Sequence, residues 1–203
     1  FFHNAASRIS PSFTKQEQIE NFIDTNNFGT TRIIKEFQPL IRDNSRFVIV
    51  ASSFGTLNNL NKQLHSKFDF KNQTLDGINE VLKDYVRLVK EGTDVTFGWP
   101  EWMNIPSKIG QVASMKVLAH ELRKQNAQEK NIMISAVCPG LMDTEASRPW
   151  FNDMSKAKLP DDAADDLIWL IAQNKWDEEK YGSLVQYRKV IPWDKINSHA
   201  VKS

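Results

Sequence analysis

Several residue types are scarce here, and each scarcity removes a class of protein. Cysteine occurs once in 203 residues, at Cys138, so an internal disulfide framework is excluded and a reducing compartment, the cytoplasm, is expected. Because Cys138 follows an apolar run, it reads as a small buried hydrophobe rather than a nucleophile. The eight glycines are scattered and form no glycine-rich phosphate-cradling turn. Four histidines (His3, His65, His120, His199) lie far apart with no Cys or carboxylate at ligand spacing, so no metal is expected. Apolar runs fall well short of the ~20 residues that span a bilayer, and no signal peptide is recognisable, so no membrane partner is expected. Neither sign of charge dominates: 26 Lys and Arg face 25 Asp and Glu, which gives no field for nucleic acid. Lys108, Lys116, Arg123, Lys124 and Lys130 follow helical spacing and read as a solvated face.

What is present fits one soluble domain over residues 1–203, with 40% hydrophobic and 25% charged residues. Phe1-Phe2 followed by His3-Asn4-Ala5-Ala6 reads as the end of a buried strand and its turn. With no initiator Met before it, a partial sequence is expected. Ile19, Phe22, Ile23, Ile33, Ile34, Phe37, Leu40 and Ile41 recur at helical spacing and predict one long helix over 14–41, interrupted at Gly29. Arg46 to Ala51 and Asn131 to Cys138 are continuous apolar runs of the kind buried on both faces of a parallel sheet. Between them, residues 57–98 form a polar insertion with weakly helical patches near 57–68 and 75–90. A connection that long in a compact α/β unit points to a functional insertion or lid. Pro106 marks where the next helix can begin, running through Leu122 and constraining the turn that joins 104 to 108. A helix over 161–173 and a short strand over 183–187 complete the series.

This alternation implies a doubly wound α/β fold with a parallel sheet, whose ligands bind beyond the carboxyl ends of the strands. Asn4–Ala6, Ser52–Ser53 and Pro139–Thr144 then share one rim.

Those rim segments resemble the short-chain dehydrogenase/reductase family. His3-Asn4-Ala5-Ala6 is similar to its Asn-Asn-Ala-Gly turn, and Asn26-Asn27-Phe28-Gly29-Thr30 to its Asn-x-x-Gly-Thr stretch. Val50-Ala51-Ser52-Ser53 is similar to its Val-Ser-Ser strand end. Gly98-Trp99-Pro100 followed by Lys108 resembles the carbonyl-reductase approach to Tyr-x-x-x-Lys, and Cys138-Pro139-Gly140 with Thr144 its Pro-Gly…Thr stretch. The resemblance implies a Rossmann-like fold with its N-terminal half-sheet missing, a monomer, NADPH as cofactor and a small-molecule carbonyl substrate. It assigns Ser53 to orienting the substrate oxygen, Asn26 to holding a relay water, and Lys108 to the ribose. Asn4, Asn104, Pro139, Gly140 and Thr144 would complete the cofactor contacts. The acid's position holds Asn104 in place of tyrosine. A carboxamide has no proton to give near neutral pH and only donates a hydrogen bond, so carbonyl reduction is expected to be severely impaired.

Two other readings follow from the same residues. A binding or scaffold protein on this fold needs no acid at 104. A serine hydrolase would use Ala51-Ser52-Ser53-Phe54-Gly55 as its nucleophile turn and His199 as its base. Trp99, Trp102, Trp150 and Phe151 could line a pocket or simply pack.

Overall fold

The two longest strands are β2 (Arg46–Val50) and β3 (Met133–Val137), the apolar runs of the sequence. They pair in parallel over five residues, from Arg46 opposite Met133 to Val50 opposite Val137. This computed structural model describes residues 1–194. A two-residue β1 (Phe2–His3) flanks β2, and β4 (Leu184–Gln186) flanks β3, both parallel. The sheet order is β1-β2-β3-β4-β5. The last strand, β5 (Lys189–Ile191), is antiparallel to β4, joined by a two-residue hairpin turn. This antiparallel edge was absent from the expected all-parallel sheet. Tyr187 and Arg188 in the turn have φ of 50° and 64°, values usually supplied by Gly or Asn, so the usual hairpin signal is missing.

The long helix expected over 14–41 is one helical run in three geometries. α1 (Lys15–Ile23) starts at a capping box, with the Thr14 hydroxyl accepting from Glu17 N and the Glu17 carboxylate accepting from Thr14 N. A π-helical turn, Asp24–Phe28, follows, then α2 (Gly29–Phe37) and a short 3₁₀ turn, Gln38–Leu40. The buried positions explain the π-turn. Phe22 and Ile23, Asn26 and Asn27, Thr30 and Thr31, then Ile34 recur every four residues. In an α-helix that spacing drifts by about 40° per turn, and the wider turn absorbs the drift. Leu40, expected on the apolar stripe, is exposed past the end of α2.

Residues 57–98 are more deeply packed than a lid would be. After two 3₁₀ segments, Leu57–Asn59 and Lys62–Phe68, α3 (Leu75–Glu91) buries Leu75, Ile78, Leu82, Tyr85, Leu88 and Val89 against the main core. Gly92, at φ +71°, ends α3 in the left-handed conformation that glycine adopts without steric cost.

α4 (Asn104–Arg123) is buried on almost every side and runs through the middle of the helical layer. Pro106 is its third residue. Its missing N–H is among the first four donors that an α-helix leaves unpaired, so the ring fits. The constraint expected between 104 and 108 is therefore absent: one regular turn separates them. α5 (Pro160–Ile171) begins with Pro160 and with Asp161 and Asp162 in its first turn, which complement the helix dipole.

Candidate functional site

The carboxyl ends of β1, β2 and β3 converge on Lys108. His3, at the end of β1, is held neutral to lower pH by burial and by the charge of Lys108. Cys138, just past β3, is electrostatically coupled to the same ammonium and is buried, with the Gln186 amide 3.3 Å from its sulfur. The turn after β2 presses directly on α4. A Cβ on Gly55 would come within 2.8 Å of the Lys108 carbonyl oxygen, so only glycine fits that approach. Burial lowers the Lys108 ammonium to about 8. Lys108 and Lys116 thus leave the solvated face on which spacing had placed them. Lys116 Nζ donates to the Gly182 carbonyl at 2.7 Å and sits over the rings of Phe70 and Trp193. Arg123, Lys124 and Lys130 are exposed as expected.

The other sequence candidates occupy distinct positions around this point. Ser53 is half-buried, and its hydroxyl has no hydrogen-bond partner among the described residues. Ser52 instead closes the turn, its Oγ accepting from Phe54 N at 3.3 Å. The Asn104 carboxamide, at the first residue of α4, is likewise unpartnered among the described residues. Asn26 is buried in the π-turn. Its Oδ1 accepts from Ser7 N at 2.6 Å, and its backbone carbonyl accepts from Thr30 Oγ1 at 2.6 Å and Gln111 Nε2 at 3.0 Å. Asn4 is exposed beyond β1. Thr144 shares a hydrogen bond with Ser147 Oγ at 3.1 Å in a local turn. Pro139 is buried, and Gly140 has φ +86°.

Of two further features, one had no signal in the sequence and the other was foreshadowed by Trp102 and Phe151. Tyr187, on the β4–β5 hairpin, lays its hydroxyl against Gly140 so closely that a Cβ there would come within 2.4 Å of it. Its ring also lies 4.5 Å from Lys158 Nζ. The second is an aromatic row. Trp102 meets Phe54 edge-on at 5.0 Å and Phe151 at 6.3 Å, tying the β2 turn, the approach to α4 and the 141–159 loop together. The Trp102 indole N–H is buried without a partner among the described residues. Trp99 packs against Tyr85 and Phe68, and Trp150 is partly exposed. A hydrolase elbow needs a strand, a sharp turn and a helix in immediate succession. Here residues 51–56 lead only into a three-residue 3₁₀ segment. His199 lies outside the described residues.

No protein-family profile matches the chain. Carbonyl reductase [NADPH] 1 of Mus musculus is 32% identical over 178 residues, which cover 87% of this chain and 62% of that protein. The Homo sapiens protein of the same name is 28% identical over 178 residues, with the same shares covered. The chain is similar in sequence to short-chain dehydrogenase/reductases of the carbonyl-reductase type. It spans 62% of the length of these carbonyl reductases. Two solved structures share the fold. Salutaridine reductase of Papaver somniferum has a TM-score of 0.64 at 23% identity, covering 83% of this chain and 55% of that one. Menthone neomenthol reductase of Mentha piperita has a TM-score of 0.60 at 21% identity, covering 84% and 51%. Among the described residues no helix is long and apolar enough to cross a membrane.

The rim can be tested against a dinucleotide. At the nicotinamide-ribose end, Lys108 uses one N–H on Gln111, which leaves two donors of the kind ribose hydroxyls accept, while the Gly140 turn is covered by the Tyr187 hydroxyl. At the pyrophosphate end, no helix among the described residues begins on a glycine-rich turn.

Proposed function

We propose that this chain carries the substrate and nicotinamide-ribose part of an NADPH-dependent carbonyl-reductase site whose acid position is filled by an amide. The carrying observation is the convergence of three strand ends on the half-buried Lys108, with the unpartnered side chains of Ser53 and Asn104 carried on the adjoining β2 turn and the same helix. Lys108, with Asn4, Pro139, Gly140 and Thr144, would hold the nicotinamide end of the cofactor, which when bound supplies a hydride. The Ser53 hydroxyl donates to the oxygen of a ketone, aldehyde or quinone. Asn104 adds a second neutral donor but no transferable proton. The aromatic row of Phe54, Trp102 and Phe151 offers an apolar wall for the substrate. We read the protein as a cytoplasmic monomer, consistent with its buried lone cysteine and with α3 covering the flank of α1 and α4.

General acid assistance is worth about 10²–10⁴-fold, so Asn104→Tyr should raise NADPH-dependent turnover of a quinone or aromatic aldehyde by that order. Ser53→Ala should abolish whatever turnover remains. Saturable quenching of tryptophan fluorescence by NADPH, without turnover in either the parent or Asn104→Tyr, would favour a second reading. That reading, a binding protein on a reductase fold, draws on the amide at 104. Neither quenching nor turnover would defeat both.

A further inference from the structure

Gln111 is a polar residue in the most apolar part of α4, and it is 1% exposed. Its amide spans two elements. Oε1 accepts from Lys108 Nζ at 2.8 Å, while Nε2 donates to the Asn26 carbonyl at 3.0 Å and to Thr30 Oγ1 at 3.3 Å. Chemistry fixes this orientation at both ends, because an ammonium only donates and a peptide carbonyl only accepts. Thr30 Oγ1 donates to the same carbonyl and meets His3 Nε2 at 2.9 Å, so the chain of bonds runs from the Lys108 ammonium to β1. The π-turn presents the carbonyl that anchors it.

We propose that Gln111 is a positioning residue that fixes the Lys108 ammonium against the π-turn, aiming its two remaining N–H groups at a ligand's hydroxyls. The identity of that ligand rests on the dinucleotide reading above; the anchoring does not. An amide suits holding rather than relaying, since its oxygen cannot give a proton and its nitrogen cannot take one. A carboxylate in its place would bring a full charge to the ammonium. An apolar side chain would remove the acceptor and leave the lysine more costly to charge. Among the described residues, the titratable groups electrostatically coupled to Lys108 are His3 from β1 and Cys138, the residue after β3, both unaltered by either change.

The test follows the ¹³Cε shift of Lys108, assigned with Lys108→Arg, against pH in the parent, Gln111→Glu and Gln111→Met. The parent midpoint is expected at about 8. Gln111→Glu should raise it by about 1–3 units and Gln111→Met should lower it. Two variants guard against one failing to fold. A midpoint unchanged in whichever variant folds overturns the proposal. NADPH quenching is measured in parallel, and Gln111→Met should weaken it about tenfold, one hydrogen bond's worth. Shifted midpoints without NADPH binding in any form would sink the dinucleotide reading and leave the anchoring. Parent binding with unmoved midpoints would do the reverse.

Discussion

On one face of the sheet Phe47, Ile49, Ile134 and Ala136 meet side chains from α1, α2, α3 and α4. On the other, Val48, Val137 and Val185 meet Leu167, Trp169, Leu170 and Ile171 of α5. Adjacent residues of a strand point to opposite faces, so one five-residue strand serves both. The first layer is thick and continuous; the second is thin, and α5 leaves Ile168 and the preceding Leu159 exposed. Asn104, Lys108, Gln111 and Asn26 are all mounted on the thick layer, whose packing fixes their geometry. The 141–159 loop that carries Thr144 leads into α5, on the thin one.

A matched pair of substitutions tests that contrast. Leu118→Ala, in α4 and fully buried, should cost about 4–5 kcal/mol, the upper end for a cavity that cannot collapse. Leu170→Ala, in α5 and 4% exposed, should cost about 2–3 kcal/mol, because the thinner layer can settle. Urea unfolding measures both, and equal losses would break the comparison. A smaller effect comes from the two half-buried lysines of the thick layer. Burial holds Lys108 and Lys116 at about 8, below the 10.5 of an unfolded lysine. Between those values the unfolded chain binds more protons, so stability should rise with pH from about 8 to 10.5; below that window the penalty is fully present. Lys116→Met should flatten part of that rise, on the order of 1 kcal/mol once solvent screening is allowed for. Smallest is Tyr85→Phe, which removes a buried hydroxyl that has no partner among the described residues. It should be neutral or stabilising by up to about 1 kcal/mol, read from the same unfolding curves.

The strands β2 and β3 and the helices α4 and α5 were legible because long apolar or periodic runs carry their own signal. β5 was not, being three residues long behind a turn without Gly or Asn. The π-turn was hidden because its only trace, buried pairs four apart, lies within the scatter of helical periodicity. Lys108 and Lys116 misled because helical spacing cannot distinguish a charged tip in water from one turned back onto a carbonyl. Gln111 did leave a trace, an uncharged polar residue three places after Lys108 among Ile109, Val112 and Ala113. Reading it required Asn26, 85 residues away.

The turn at 24–28 gives the helical run one surplus residue, and surplus can be inherited or lost in a single codon. Deleting Thr25 would let the run close into ordinary helix while α1 and α2 keep their inward phases, so the fold should accept the change more readily than the Lys108–Gln111–Asn26 linkage would. In this stretch chain length, rather than side-chain chemistry, would separate a lineage that keeps its ligand geometry from one that keeps only its shape.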